Sequence, residues 1–240
     1  MSPDVWYSLT VARTQRDLSW CRERIEAGHY LHTWPDPRTR PLAYVVWRMT
    51  LHGNWRVGCL TFGRPEATRC YKGKLRYGSI LDVSTGRAVY DRWEVLNLSR
   101  VWLDPEVQAG GRFCRPDWVP GFTDRRGVWR TALASHLIAA ALRRVGYEYL
   151  LAHPVCFVAE PYVIRAALSY CDTRLHRGTI YQASGWELAR TNGEGKQTWW
   201  TPAVSPLSSE QDAAIRSLAA THPRSIRIRE AALAAKGASS

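Results

Sequence analysis

Arg177-Gly178-Thr179-Ile180-Tyr181-Gln182-Ala183-Ser184-Gly185-Trp186-Glu187-Leu188 holds a helix turn, a reversal and a strand start in one short run. The amphipathic turn places Tyr181, and the Gly185-Trp186 pair then swings the chain into an extended segment. Two readings of Tyr181 stand side by side. It is either a ring packed under a sheet or a hydroxyl presented for chemistry. The surrounding chain has to separate them.

The chain has 240 residues, enough for one substantial core, and a net charge of +12. That excess of cations points to a polyanionic partner or an anionic cofactor and says little about fold. Twelve tryptophans and eleven tyrosines stand against four phenylalanines, and flat rings with a polar edge suit base stacking as well as core filling. The six cysteines are scattered, and they and the histidines show no zinc-ligand spacing. A zinc-dependent deaminase is therefore disfavoured, no metal site is assigned, and reduced thiols are expected. Met1–Trp6 has no basic region leading into an apolar run, and no run approaches the ~18 residues that span a bilayer. The expectation is a soluble protein of the cytoplasm of a bacterial host cell, without a membrane partner.

Working along the chain, Thr14 and Asp17 stand at capping spacing before Leu18, Cys21 and Ile25, which predicts a helix over 14–28. Trp34-Pro35-Asp36-Pro37 starts a loop. Residues 43–51 and 56–62 read as two strands joined at His52-Gly53-Asn54. Residues 93–103 read as a further strand, 109–130 as a long loop and 131–145 as a helix stopped at Gly146. A short strand is predicted over 147–152 and a helix over 161–170. A hairpin turns at Asn192-Gly193-Glu194-Gly195-Lys196, and a weak helix with a basic tail follows Ser208. The expected fold is α+β, a mixed β-sheet flanked by helices with a βαβ crossover through 93–103, 131–145 and 147–152. Its expected divisions are an N-terminal helix and loop (1–42), a catalytic domain (43–205) and a C-terminal helix and tail (206–240).

Tyr-x-x-x-Gly-aromatic, late in this element order, resembles the closing segment of GNAT-fold acyltransferases. The resemblance implies a GNAT-like sheet, an acetyl-CoA or related acyl-CoA donor lying where two crossover strands splay, and Tyr181 as the acid that protonates the leaving group. The GNAT pyrophosphate pattern, Arg/Gln-x-x-Gly-x-Gly/Ala, is not matched well. Asp124-Arg125-Arg126-Gly127-Val128-Trp129-Arg130 is one glycine short and out of register. Either the cofactor sits differently, or arginines replace backbone amides, or the donor is not a standard thioester. Arg125, Arg126, Gly127 and Arg130 are the cofactor-binding candidates.

The segments 93–103, Thr131-Ala132-Leu133-Ala134-Ser135-His136 and 171–181 resemble the Mom family of phage proteins across about residues 43–202. Those are GNAT-like DNA-modification proteins that convert adenine to N6-carbamoylmethyl-adenine and shield phage DNA from host restriction. The resemblance implies double-stranded DNA as partner, with the target base extruded. Arg112, Arg115, Trp118 and Trp129, in a loop that interleaves arginines with rings, are the DNA-binding candidates. The exocyclic amine of adenine is a poor nucleophile and must lose a proton as the bond forms. Asp172 as base or amine anchor and Tyr181 as acid are the assigned pair, with a helix-capping role the alternative for Asp172. Ser135 and Arg100 complete the catalytic candidates, since a buried arginine needs a partner or a task. His52, Tyr71, Asn97 and Ser99 are secondary. Strand alternation puts Asn97 and Ser99 on the face opposite Glu94 and Arg100. Two alternatives remain open: a GNAT N-acyltransferase for a small amine or protein, and a non-enzymatic DNA-binding protein.

Overall fold

The computed structural model describes residues 5–65, 80–81, 88–90, 93–108, 111–112, 121–123, 129–154, 163–223, 226–227 and 230. Seven strands form one mixed sheet. The edge strand β1 (Trp6–Val11) pairs antiparallel with β2 (Leu42–Thr50), which pairs with β3 (Gly53–Gly63). Two short hairpin pieces follow outside this sheet or interrupt the chain: β4 (Ile80–Leu81) with β5 (Ala88–Tyr90), and β7 (Gly121–Thr123) with β8 (Trp129–Thr131). Between them β6 (Val95–Leu103) pairs antiparallel with β3 and parallel with β9 (Ala166–Asp172). The hairpin β10 (Glu187–Thr191) and β11 (Lys196–Thr201) completes the sheet through β9. The predicted turn at 192–196 is its tip. Strand β1 lay outside the sequence expectation for 1–42, which held only a helix and a loop.

Among the described residues four α-helices dress this sheet. Helix α1 (Gln15–Gly28) starts where expected, with the Thr14 hydroxyl accepting from the Asp17 backbone N–H. Its stripe, Cys21 and Ile25, is fully buried against Ala43, Val45 and Cys59. Burying one such isoleucine stabilises the fold by roughly 1.5–3 kcal/mol. The other face of β2, Leu42, Tyr44 and Val46, packs with Leu137, Ile138, Leu142 and Val145 of α2 (Leu133–Ala152). One strand thus feeds two cores by alternation. Helix α3 (Thr179–Ala183) is a single turn, and α4 (Ser209–Thr221) packs Ile215 into the α2 core behind a Ser208/Gln211 capping box. Among the described residues no helix is long and apolar enough to cross a membrane.

Beyond β1, and β7 and β8 in the stretch expected as a loop, the elements around α2 and β9 differ from expectation. Residues 147–152 are the last turns of α2 and not a strand, because Leu142, Val145, Tyr149 and Leu150 continue the buried helical stripe. Gly146 is inside that helix and not its cap. Its bare backbone lets the chain at Val204 approach, a Cβ there standing 3.2 Å from Val204 Cγ1. The parallel partner of β6 is instead β9, within a region expected to be helical. Ala166, Ala167 and Leu168 are covered on both faces of a central strand, so their run has no alternation to show.

Candidate functional site

Parallel pairing of β6 with β9 ends at Asn97↔Leu168. Beyond it, a cavity of about 660 Å³ lies between β6 residues 98–103 and Tyr170–Cys171 of β9. The C-terminal end of α1 with Gly28–Tyr30, and the 176–181 segment, form its other walls. A β-bulge shapes the β6 wall. Thr61 faces Arg100 and Phe62 faces Leu98, leaving Ser99 as an extra residue. Strict alternation fails at that point, so Ser99 and Arg100 both line the cavity. This corrects the expectation that they face opposite ways.

Tyr181 is placed by its own short motif. Gly178 caps α3 at φ +69°, and a Cβ there would stand 2.8 Å from the Trp199 ring. Gly185 reverses the chain at φ +73° in open space. The Trp186 N–H then returns to the Tyr181 carbonyl at 3.0 Å. The phenol ring is held between Trp186 and Trp199, with centroids 5.4 and 5.9 Å away. Its hydroxyl is 2.9 Å from Ser169 Oγ, which donates to the Leu98 carbonyl at 2.8 Å. Burial raises the Tyr181 pKa, with a smaller lowering from Ser169. A phenol in that state stays protonated at neutral pH, and burial makes it the weaker acid, so giving a proton calls for a group that stabilises the phenolate.

The cavity lining is cationic. Arg24, Arg100, Arg177, His29, His32 and His176 contribute to it, and no aspartate or glutamate does among the described residues. Arg24 lies over the rings of Trp20 and Trp102, each 5.9 Å away. Trp102 in turn lies against Gly28, where any Cβ would collide with the indole. Arg100 fastens the loop after α1 to β6, donating to the Thr33 carbonyl at 3.0 Å and the Ser99 carbonyl at 2.7 Å.

The histidines are held in complementary tautomers. His29 Nδ1 accepts from the Leu31 N–H at 3.2 Å, so the neutral ring carries its proton on Nε2. Burial, then the charge of Arg100, lowers the His29 pKa to about 4, keeping it neutral. His32 Nδ1 is 3.0 Å from the Glu26 carbonyl, which can only accept. The proton is therefore on Nδ1 and the Nε2 lone pair is left to take another. His32 also stands at φ +46°, an uncommon conformation for a side-chain-bearing residue. These groups were missed in sequence. Gly28-His29-Tyr30-Leu31-His32 is dense in titratable rings, but nothing local ties it to β6.

Tyr181, Arg100 and Ser99 thus meet at one cavity. Ser135 lies beside it: Ala134 lines the wall, and the Ser135 hydroxyl closes the first turn of α2 by donating to the Ala132 carbonyl at 2.9 Å. Asn97 is buried next to the bulge, its amide donating to Ser99 Oγ at 3.2 Å. Asp172 is not among the lining residues. Its carboxylate is engaged by Arg174, Oδ1 with Nε at 2.9 Å and Oδ2 with Nη2 at 2.5 Å, and holds the Arg174 N–H at 3.1 Å. The Arg174 hydrogen bonds lower its pKa to about 2, which makes it a weak proton acceptor and the anchor of the turn after β9. His52 is exposed in the β2–β3 turn, away from the cavity. Arg112 is exposed and pairs with Glu106 at 3.3 Å. Trp129 and Arg130 fall in β8. Tyr71, Arg115, Trp118, Arg125, Arg126 and Gly127 lie outside the described residues.

No protein-family profile matches the chain, and no curated protein does. Among solved structures the chain is similar to a domain from Methanocaldococcus jannaschii DSM 2661, at 9% identity and a TM-score of 0.42, over 85% of this chain and 100% of that one.

Proposed function

We propose that this chain is a GNAT-like transferase resembling the Mom proteins, which converts adenine in DNA to N6-carbamoylmethyl-adenine and so protects phage DNA from host restriction. The observation that carries the reading is the placement of Tyr181. A buried phenol, held protonated, lines a cationic cavity that opens where two parallel strands stop pairing. That is the position the GNAT resemblance gives to donor and acid. The lining suits an anionic ligand such as acyl-CoA or a nucleotide unit of DNA, because it brings arginines together and holds no carboxylate among the described residues. A donor held in this cavity would have to present the carbamoylmethyl carbon on a leaving group, because acyl transfer from an ordinary acyl-CoA would give an N6-acyl adenine instead. Tyr181 gives its proton to the leaving group, and His32 Nε2 takes the proton that the amine releases. Asp172, tied to Arg174, keeps the loop between β9 and α3 in place.

The test is mass spectrometry of nucleosides from DNA of cells making the protein. A modified adenine in the wild-type sample, absent with Tyr181→Phe at matched soluble levels, is the expected result. Unmodified DNA together with acylated protein or small amines would favour the general N-acyltransferase alternative. DNA binding with no modified product of any kind would leave the binding protein.

A further inference from the structure

We infer that Ser169 is a positioning residue for Tyr181, holding the phenol hydroxyl in place at rest and stabilising the phenolate that proton donation leaves behind; this rests on the reading of Tyr181 as an acid. Ser169 is only 1% exposed and sits at the first position of β9 past its parallel pairing with β6. Its single hydroxyl proton has a fixed destination. The Leu98 carbonyl at 2.8 Å cannot donate, so Ser169 donates to it. The 2.9 Å contact with Tyr181 must then be a hydrogen bond from the phenol to Ser169 Oγ. Leu98, Ser169 and Tyr181 form a directed chain that ends at the cavity wall.

The chain can turn at two joints, the phenol C–O bond and the Ser169 Cβ–Oγ bond. For transfer the Tyr181 O–H first turns from Ser169 Oγ to the leaving-group atom; the proton then passes to that atom and the electron pair stays on the phenol oxygen. Rotation about the Ser169 Cβ–Oγ bond then turns its O–H from Leu98 to the phenolate, supplying a donor in a site that burial makes hostile to charge. Water entering the cavity later returns a proton to Tyr181, and Ser169 swings back. Trp186 and Trp199 fix the ring throughout, so the hydroxyl need not search for its partner.

The test combines a readout that needs no reaction with one that does. Hydrogen exchange of the Tyr181 hydroxyl is followed through its 13Cζ signal in tyrosine-labelled protein, with Tyr181→Phe used to assign the resonance. Adenine modification is counted in parallel. Ser169→Ala should speed hydroxyl exchange at least tenfold and lower modification about tenfold, with the fold retained, since alanines already occupy positions 166 and 167 of the same strand. Ser169→Thr, which keeps the hydroxyl, should restore slow exchange and most of the modification. Unchanged exchange in Ser169→Ala would overturn the assignment, whatever happens to activity. If the wild type modifies no adenine while Ser169→Ala still accelerates exchange, the transfer reading fails and the directed hydrogen bond stands.

Discussion

His32 and Asp172 show how a hydrogen-bond partner decides what a titratable side chain is able to do. The Glu26 carbonyl fixes the His32 proton on Nδ1 and frees Nε2, whereas Arg174 occupies both carboxylate oxygens of Asp172. His32→Gln can still donate to Glu26 but cannot accept a proton, so turnover should fall by ~10²–10⁴ with DNA affinity nearly unchanged. Asp172→Asn should retain most of its turnover and lose the ion pair with Arg174. Counting modified adenines for both variants at matched protein levels separates the two assignments. Equal loss in both would return Asp172 to the reaction. His29 carries a separate consequence for stability. Its folded pKa of about 4 lies below the ordinary histidine value of ~6.5. Between those values the unfolded chain binds the extra proton and the folded chain does not. The stabilisation is therefore fully present above about pH 6.5 and is lost as pH falls towards 4, by an amount on the order of 1–3 kcal/mol. His153, lowered likewise by burial and then by Arg40, acts in the same direction. Urea midpoints across this window should fall with acid, and His29→Gln should flatten the dependence.

The elements differ in how plainly sequence announces them. Helix α1 was legible because Thr14, Asp17, Cys21 and Ile25 give both its start and its buried stripe locally. The second half of α2 was not, because Gly146 imitates a stop while serving as a contact point for the chain at Val204. Strand β9 was hidden for the opposite reason: burial on both faces leaves no polar beat. The candidate site divides the same way. Tyr181 was found through its Gly-Trp reversal, whereas His29 and His32 reach the cavity through contacts distant in sequence, among them Arg100 with the Thr33 carbonyl and Tyr30 against His176. Within the α3 motif the two glycines make a contrast that stability measurements can read. Gly185 has positive φ but free space around it, so Gly185→Ala should cost about 1–2 kcal/mol and leave the site intact. Gly178 has positive φ and the Trp199 ring 2.8 Å from a would-be Cβ. Gly178→Ala should cost more and also displace the ring that fixes Tyr181. A Gly178→Ala protein with the stability and hydroxyl exchange of Gly185→Ala would refute this account of the clamp.

At the scale of the whole molecule, the net charge of +12 matters to function only if ligands feel it. Arg24 and Arg177 are exposed on the cavity lining, where no carboxylate stands among the described residues. Arg100, by contrast, is tied to Thr33 and Ser99 and contributes field without a free donor fork. Duplex DNA that engages the exposed pair releases counterions, and log K then falls linearly with log[salt] at a slope of about −0.9 per phosphate neutralised. Arg24→Gln/Arg177→Gln should therefore make that slope shallower by about 2 and weaken binding evenly across sequences. Tyr181→Phe should leave the slope unchanged, since the phenol carries no charge at neutral pH. The measurement is a fluorescence-anisotropy titration of one duplex at several salt concentrations with the three proteins. A slope the double substitution does not alter would place the phosphate contacts elsewhere on the chain and leave the cavity cations to a small anionic donor alone.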